Sequence, residues 1–456
     1  MTITAIVKAD CPTCQLVAPV IEKLVADGII TTVLREDDSV GLEASYQLGV
    51  ETVPTLIKGD ERIVGWSRDQ WEALTGISGL GDGLPDQRPG CGSRTLDPGV
   101  AEELAVRFGG SKLRSRRVDL GQLEDEMEAM FDRGWTDGLP VVPPTEVRVL
   151  RMLEGTTRSP DEMVAVVPPD LVECTVEKVA VNAVMAGCKP EYLPVVLACV
   201  EAACTDEFNI HGLLATTYFS GPMVVVNGPI AGAIGMNSGV NALGQGNRAN
   251  ATIGRALQLV VRNVGGGKPG GVARATLGNP GKYTFCFAED ETGSPWSPLS
   301  VERGHLAGTS TVTLFAGEGP RGVVDQMSRT PESLARSFAA CLRTVAHPKA
   351  VMAFDAFVVV SPEHARVFAE AGWDKDRLRA ELTTLLTLPG DELIRGAGGI
   401  AEGLPEGFAG ASLPKFAPDG LWFVHAGGRA GLFSAIIGGW VNGDLGSRPV
   451  TREVAT

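Results

Sequence analysis

The sequence predicts an α/β protein in two parts, a small N-terminal domain and a large one built on a mixed or mostly parallel sheet. Three observations predict it. Short apolar runs of strand type alternate with stretches of helical spacing along the whole chain. A stretch rich in Gly and Pro, 77–98, interrupts that alternation early. At 456 residues the chain exceeds one ordinary domain.

The elements of the small domain follow in order. Ile3-Thr4-Ala5-Ile6-Val7 reads as a strand, and Gln15 to Val25 carries apolar positions at helical spacing. Cys11-Pro12-Thr13-Cys14 lies at the junction. A Cys-x-x-Cys placed there sets its first sulfur beside the unpaired N–H groups of the first helical turn, where the helix dipole favours a thiolate. Cys11 is therefore the expected nucleophile, and Cys14, one turn on, the resolving thiol. Ile29 to Leu34 reads as a second strand, Val40 to Leu48 as a helix, Val50 to Ile57 as extended chain around Pro54, and Arg62 to Trp66 as the last strand and turn. Arg68 to Leu74 is the closing helix. This order resembles the thioredoxin superfamily, and most closely its short glutaredoxin-like branch, because one strand precedes the cysteines. The resemblance implies a thioredoxin fold over 1–76, a redox-active disulfide at Cys11 and Cys14, a cis Pro54 lying against it, and a thiol reductant or reductase as partner. Asp10 stands where thioredoxins usually carry Trp, and Gly65-Trp66-Ser67 lacks the second glycine of a glutaredoxin glutathione site.

Residues 77–134 read as a linker and connecting helix. Gly99 to Phe108 is a short helix, Lys112 to Arg117 a basic surface strand, and Leu120 to Arg133 an amphipathic helix. Cys91, followed by Gly92-Ser93-Arg94, is a loop thiol whose neighbours Arg88 and Arg94 would lower its pKa. It is a candidate relay for electrons or a substrate adduct, against the alternative of an inert surface thiol.

The large domain, 135–456, opens with Asp137-Gly138-Leu139-Pro140-Val141-Val142-Pro143-Pro144. Strands are expected at 164–167, 223–226, 311–315, 350–360 and 421–424, and helices at 171–185, 191–204, 249–264, 331–345 and 362–371. The opening motif, with Asn182 to Cys188, Asn250 to Ala256 and Val301 to Gly304, resembles an uncharacterised bacterial α/β family often linked to redox-domain or selenocysteine partners. That resemblance carries no catalytic residues. From the side chains alone, Cys286 with Glu302, Arg303 and His305 is the candidate active centre, as a thiolate with acid–base support or as a metal site. The alternative is an inward strand cysteine beside a charged loop. Asn237, Asn241, Arg248 and Arg255 are candidates for substrate binding, because glycines and asparagines precede a helix start able to hold an anion, and His211, a loop histidine beside Asn209 and Gly212, is a separate candidate against a structural role. A close-packed turn explains the same residues. Cys174, Cys188, Cys199, Cys204 and Cys341 read as packing residues.

Composition narrows the partners. Forty Lys and Arg against 55 Asp and Glu leave a net charge of −15, which argues against a nucleic-acid backbone or an anionic membrane. Nine cysteines at irregular spacing do not form a secreted disulfide framework. No signal peptide is visible, so a cytoplasmic protein is expected. The function these readings favour is a thiol-dependent oxidoreductase: the small domain supplies reducing equivalents to a small-molecule site in the large one. Two alternatives stay open. One is a lyase or hydrolase acting through Cys286 or a metal, and the other a thiol-binding scaffold. Whether a metal is bound, and the oligomeric state, are left open by the sequence.

Overall fold

The structure, a computed structural model, describes residues 2–455 except 110, 112 and 122. It has the expected α/β architecture and divides into two compact units, 1–113 with 145–151, and 114–144 with 152–456.

In the first unit the chain runs β1 (Ile3–Val7), α1 (Pro12–Ala26), β2 (Ile30–Arg35), α2 (Ser39–Gln47), β3 (Thr52–Val53), β4 (Thr55–Lys58), β5 (Glu61–Val64), β6 (Trp66–Ser67) and α3 (Arg68–Thr75). Four strands form a sheet in the order β2-β1-β4-β5, with β1 parallel to β2 and antiparallel to β4. The apolar stripe of α1, Val17, Ile21 and Leu24, joins Ala5 and Ile6 in one core. Trp66 and Trp71 meet edge to face there, with ring centroids 4.9 Å apart. The Val53–Pro54 peptide bond is cis.

Of the stretch expected as a linker, 77–134, the part up to 113 belongs to this unit and the rest to the second. Leu80 is buried in its core, and Trp66 Nε1 donates to Pro85 O at 2.6 Å. β7 (Gln87–Arg88) pairs with β6, and β8 (Cys91–Gly92) pairs antiparallel with β3, matching Val53 to Cys91 and Thr52 to Gly92. Gly90 makes that approach possible: a Cβ there would lie 2.5 Å from Thr52 Cγ2 and 2.7 Å from Val53 O. α4 (Val100–Arg107) follows. The expected basic strand is not formed. Lys112 lies outside the described residues, and Leu113 to Arg117 are irregular, with Arg114 and Ser115 N–H groups donating to the Glu177 carboxylate. The helix expected over 120–133 shrinks to α5 (Glu126–Asp132), capped by Asp125; Gln122 lies outside the described residues. α6 (Glu146–Leu153) belongs to the first unit as far as Arg151.

In the second unit α5 is followed, after α6, by the hairpin β9 (Met163–Val167) and β10 (Val172–Thr175), where a helix from 171 was expected. Leu171 has a positive φ of 54°, which helix cannot accommodate, and Thr175 caps α7 (Val176–Ala186) only afterwards. Then come α8 (Leu193–Ala203), α9 (Ile210–Ala215), β11 (Gly221–Asn227), α10 (Pro229–Ala233), α11 (Arg248–Asn263), β12 (Cys286–Ala288), α12 (Leu299–Glu302), β13 (Thr311–Gly317), β14 (Arg321–Val324) and α13 (Pro331–Leu342). The chain ends through β15 (Phe354–Val360), α14 (Pro362–Glu370), α15 (Lys375–Leu385), β16 (Thr387–Pro389), α16 (Gly390–Leu393), β17 (Ser412–Pro414), β18 (Leu421–His425), β19 (Phe433–Val441) and β20 (Val450–Glu453).

The main sheet is mixed and runs β12-β11-β13-β19-β15-β18, with β20 on β13 and β14 on β19. It is built twice over. β11 has a parallel partner, β12, and an antiparallel one, β13; β15 has β18 and β19 in the same roles. The halves meet where Gly317 pairs with Gly439. The sheet curls, so that Met223, Val225, Phe287, Phe315, Phe357, Val424 and Ile437 share one inner cluster. Outward residues alternate with these: Val358, Val360 and Phe423 pack with Leu334 and Phe338 of α13, while α8 and α11 cover the other half. Among the described residues no helix is long and apolar enough to cross a membrane.

Candidate functional site

Three cysteines meet in the first unit. Cys11, with an extended backbone (φ −93°, ψ 116°), caps α1, and its sulfur accepts from Cys14 N at 3.3 Å. Pro12 at the first helical position has no N–H to satisfy. The β3–β8 ladder brings Cys91 Sγ to 2.9 Å from Cys11 Sγ, against about 2.05 Å for a disulfide bond. All three are free thiols, Cys11 and Cys14 buried and Cys91 half-buried. Burial opposes ionisation of Cys11, but the Cys91 thiol and the hydrogen bonds from the Cys14 and Thr13 region outweigh it, and its pKa lies below the ordinary thiol value. Burial pushes Cys14 far up, and the hydrogen bond to Cys11 leads the causes that raise Cys91. One sulfur of three is thus tuned as a thiolate, and its neighbours keep their protons.

The expected effect of Arg88 and Arg94 on Cys91 is overturned. Arg94 faces Asp10 at 3.5 Å and Asp37 at 3.3 Å, and Arg88 is exposed in β7, so neither offsets the influence of Cys11. What holds the Cys91 segment is Glu36, buried with a 2% exposure that makes its partners obligatory. Its carboxylate accepts from Ser45 Oγ (2.5 Å), Ser93 Oγ (2.6 Å) and Arg94 N (2.9 Å). Thr13 Oγ1 adds a 2.7 Å bond to Pro89 O.

In the second unit the structure does not bring Cys286 to Glu302, Arg303 and His305. Cys286 leaves β12 on the outward face toward α11, beside Gly254, and lies close enough to Cys188 and Cys199 for their charges to interact. Burial pushes all three thiols up, Cys188 to about 12, so none is a thiolate at neutral pH. Glu302 pairs instead with Lys375 (2.9 Å) and Arg379 (3.4 Å). Lys375 also faces Glu289 at 3.6 Å, a fully buried carboxylate at the end of β12 that accepts from Asn227 Nδ2 and Leu299 N. Burial raises the pKa of Glu289, and Lys375 opposes that rise. His425 is buried beside it, its Nδ1 3.1 Å from Asp290 O.

Arg303 and His305 line a different feature, a cavity of about 600 Å³ shared with Asp355, Trp422, Arg448 and Arg452. Arg303 stacks on Trp422, 5.0 Å from its ring centroid, and donates to Thr451 Oγ1 (3.2 Å) and Pro449 O (3.0 Å). His305 Nδ1 lies 3.1 Å from Glu453 Oε1. Asp355 is 7% exposed, and burial pushes its pKa up to about 6 although Asn442 Nδ2 donates to it at 2.8 Å. Asp355, Trp422, Arg448 and Arg452 escaped sequence reasoning because the lining comes from five separate segments. The polar Asp355 inside the apolar run 354–360 was the one signal that could have found it.

The anion-binding loop is also corrected. Arg255 is spent on a bidentate pair with Asp137, at 2.8 Å to each oxygen, plus the carbonyls of Leu139 and Pro140. Arg248 Nε donates to Gly187 O. Asn237 Oδ1 accepts from Gly239 N, its Nδ2 donates to Val240 O, and Asn241 Nδ2 donates to Gln245 O, so the loop's polar groups satisfy one another. The motif Asp137 to Pro144 and the helix α11 are tied by this arginine, which is a packing role. His211 is exposed on α9. Among the described residues no group of three or more His, Cys, Asp or Glu is placed to hold a metal ion. Comparison with protein-family models, curated proteins and solved structures found no match.

Proposed function

We propose that the chain is a thiol–disulfide oxidoreductase, with the exchange chemistry in a thioredoxin-like first unit and a small-molecule substrate held by the second. The observation that carries this reading is the 2.9 Å between Cys11 and Cys91, with Cys14 behind Cys11 in the first turn of α1. Cys11 is fully buried and Cys91 is not, so an incoming disulfide RS–SR′ meets Cys91 first. Cys91 passes its proton to the Cys11 thiolate 2.9 Å away and takes one half, forming Cys91–S–S–R and releasing R′S⁻, which takes that proton from Cys11. Cys11 attacks Cys91 Sγ, the Cys11–Cys91 bond forms, and RS⁻ leaves. Cys14, once deprotonated, attacks Cys11 Sγ and frees Cys91 as a thiol. The Cys11–Cys14 disulfide left behind needs two electrons and two protons from an external dithiol. Free thiols in this number suit a reducing compartment, the cytoplasm.

Cys14→Ser stops the cycle after the second step. Treated with a small disulfide and digested without reductant, that variant should yield a Cys11–Cys91 linked peptide pair. Cross-links of Cys11 to external thiols alone, with Cys91 unmodified, would overturn the relay. Exchange at equal rates in wild type and Cys11→Ser would overturn the function itself.

A further inference from the structure

The cavity of about 600 Å³ is lined by charges of both signs. Arg448 and Arg452 flank the start of β20, and Arg303 is tied to the same stretch through Pro449 O and Thr451 Oγ1. Only two of the five N–H groups of Arg303 are used in these bonds, and Trp422 holds its plane. Arg448 is paired with Asp444 at 2.8 Å, which leaves Arg303 and Arg452, among the described arginines that line it, without a carboxylate partner. Carboxylates line it as well. Asp355 lies at the start of β15, and Ala356 N donates to Gly420 O, which brings the loop carrying Asp419 beside it. No ion pair to Asp355 occurs among the described residues; Asn442 is its one hydrogen-bond partner. A carboxyl group this buried is costly without a cation, and its raised pKa reflects that cost. An ammonium group in the cavity would supply the missing charge. Glu207 and His305 complete the rim.

We infer that this cavity binds a small zwitterion of the α-amino-acid type, its carboxylate on Arg303 and Arg452 and its ammonium on Asp355 and Asp419. The volume suits a metabolite of that size with room for a side chain. The inference goes beyond thiol exchange and does not depend on it.

The test uses the full chain and calorimetry. The proteinogenic amino acids are titrated singly, and the tightest is compared with its matched amine and its matched acid, each lacking one charge. The amino acid should bind at least about tenfold more tightly than either, because charge-assisted bonds form at both ends. Arg452→Ala, at an exposed position, should weaken it several-fold. Asp355→Asn should abolish the preference for the amino acid over the matched acid. Asp419→Asn should reduce that preference, and it serves in place of Asp355→Asn if that protein does not fold. Binding by Cys11→Ser protein should equal wild type, which separates this result from any failure of the thiol chemistry. No binding by any amino acid, equal binding of the matched acid, or affinity unchanged in all of these cavity variants would overturn the inference.

Discussion

Each unit assembles three cysteines, and the two sets behave in opposite ways. Cys11, Cys14 and Cys91 sit at a helix start and a short ladder, where backbone N–H groups and a second thiol favour one thiolate. Cys188, Cys199 and Cys286 sit between helices and sheet, where burial dominates and every thiol is held neutral. Proximity of sulfurs is common to both. What differs is the supply of donors and a way in from solvent, which Cys91 provides on one side only.

The sharpest way to break this contrast is to remove one sulfur from each set. Cys11→Ser should lower turnover of a small disulfide by about a thousandfold or more, since it removes both the thiolate that takes the Cys91 proton and the sulfur that resolves the Cys91 mixed disulfide. Cys286→Ser should leave that turnover unchanged within about twofold, because a serine there only alters packing. Comparable losses in both would mean that the buried set takes part in the chemistry. Alkylation refines the point: the Cys11–Cys91 pair, open to solvent through Cys91, should label in the folded chain, and the buried three only after unfolding.

The next effect concerns how the reactive set is held. Its position depends on the Glu36 carboxylate and the two donors from Ser93 and Arg94. Ser93→Ala removes one donor to a buried charge, which costs about 1.5–3 kcal/mol. Unfolding of the first unit by denaturant should register that loss, and formation of the Cys11–Cys91 link should slow with it. A fragment ending at Gly79 loses both donors and Leu80 together, so it should be poorly folded, whereas one ending at Gly79 that unfolds cooperatively would show the segment to be dispensable.

Much of the first unit was legible because local signals and tertiary structure agree there. β1, α1, β2 and α2 follow apolar spacing, and the Cys-x-x-Cys marks its own junction. Residues 77–98 were misread because Gly90 and its neighbours are there for close approach to Thr52 and Val53, not for flexibility. In the second unit the central strand β19 escaped notice because Gly438 and Gly439 interrupt its apolar run. Those glycines fit crowding that composition cannot reveal: a Cβ at Gly439 would lie 2.9 Å from Asp355 O. α15, by contrast, is legible from Leu378, Leu382 and Leu385 at helical spacing. Cys286 looked reactive because charged residues follow it in sequence. The alternation of β12 sends it to the opposite face from them.

The smallest expected effect tests the buried set on its own terms, through the pH dependence of stability. Burial raises the pKa of Cys188 to about 12, while an unfolded thiol titrates near 8.5. Between those values the folded chain keeps a proton that the unfolded chain releases. The unfolded state therefore binds fewer protons, and stability falls as pH rises, by about 1.4 kcal/mol per pH unit for each such thiol. Below about pH 8 the term vanishes, because both states are protonated. Cys188→Ala should thus remove one thiol's share of the alkaline slope of the second unit. Some stability is lost at all pH values, because the replacement also deletes the Cys188 contact with Thr252 O at 3.4 Å. Thermal unfolding between pH 8 and 10, compared with the same series on Cys91→Ala, measures the difference. Cys91 is half-buried, so its removal should change that slope less. An alkaline slope that is the same in wild type and Cys188→Ala would mean that the buried thiol ionises in place, and the contrast between the two sets would fail.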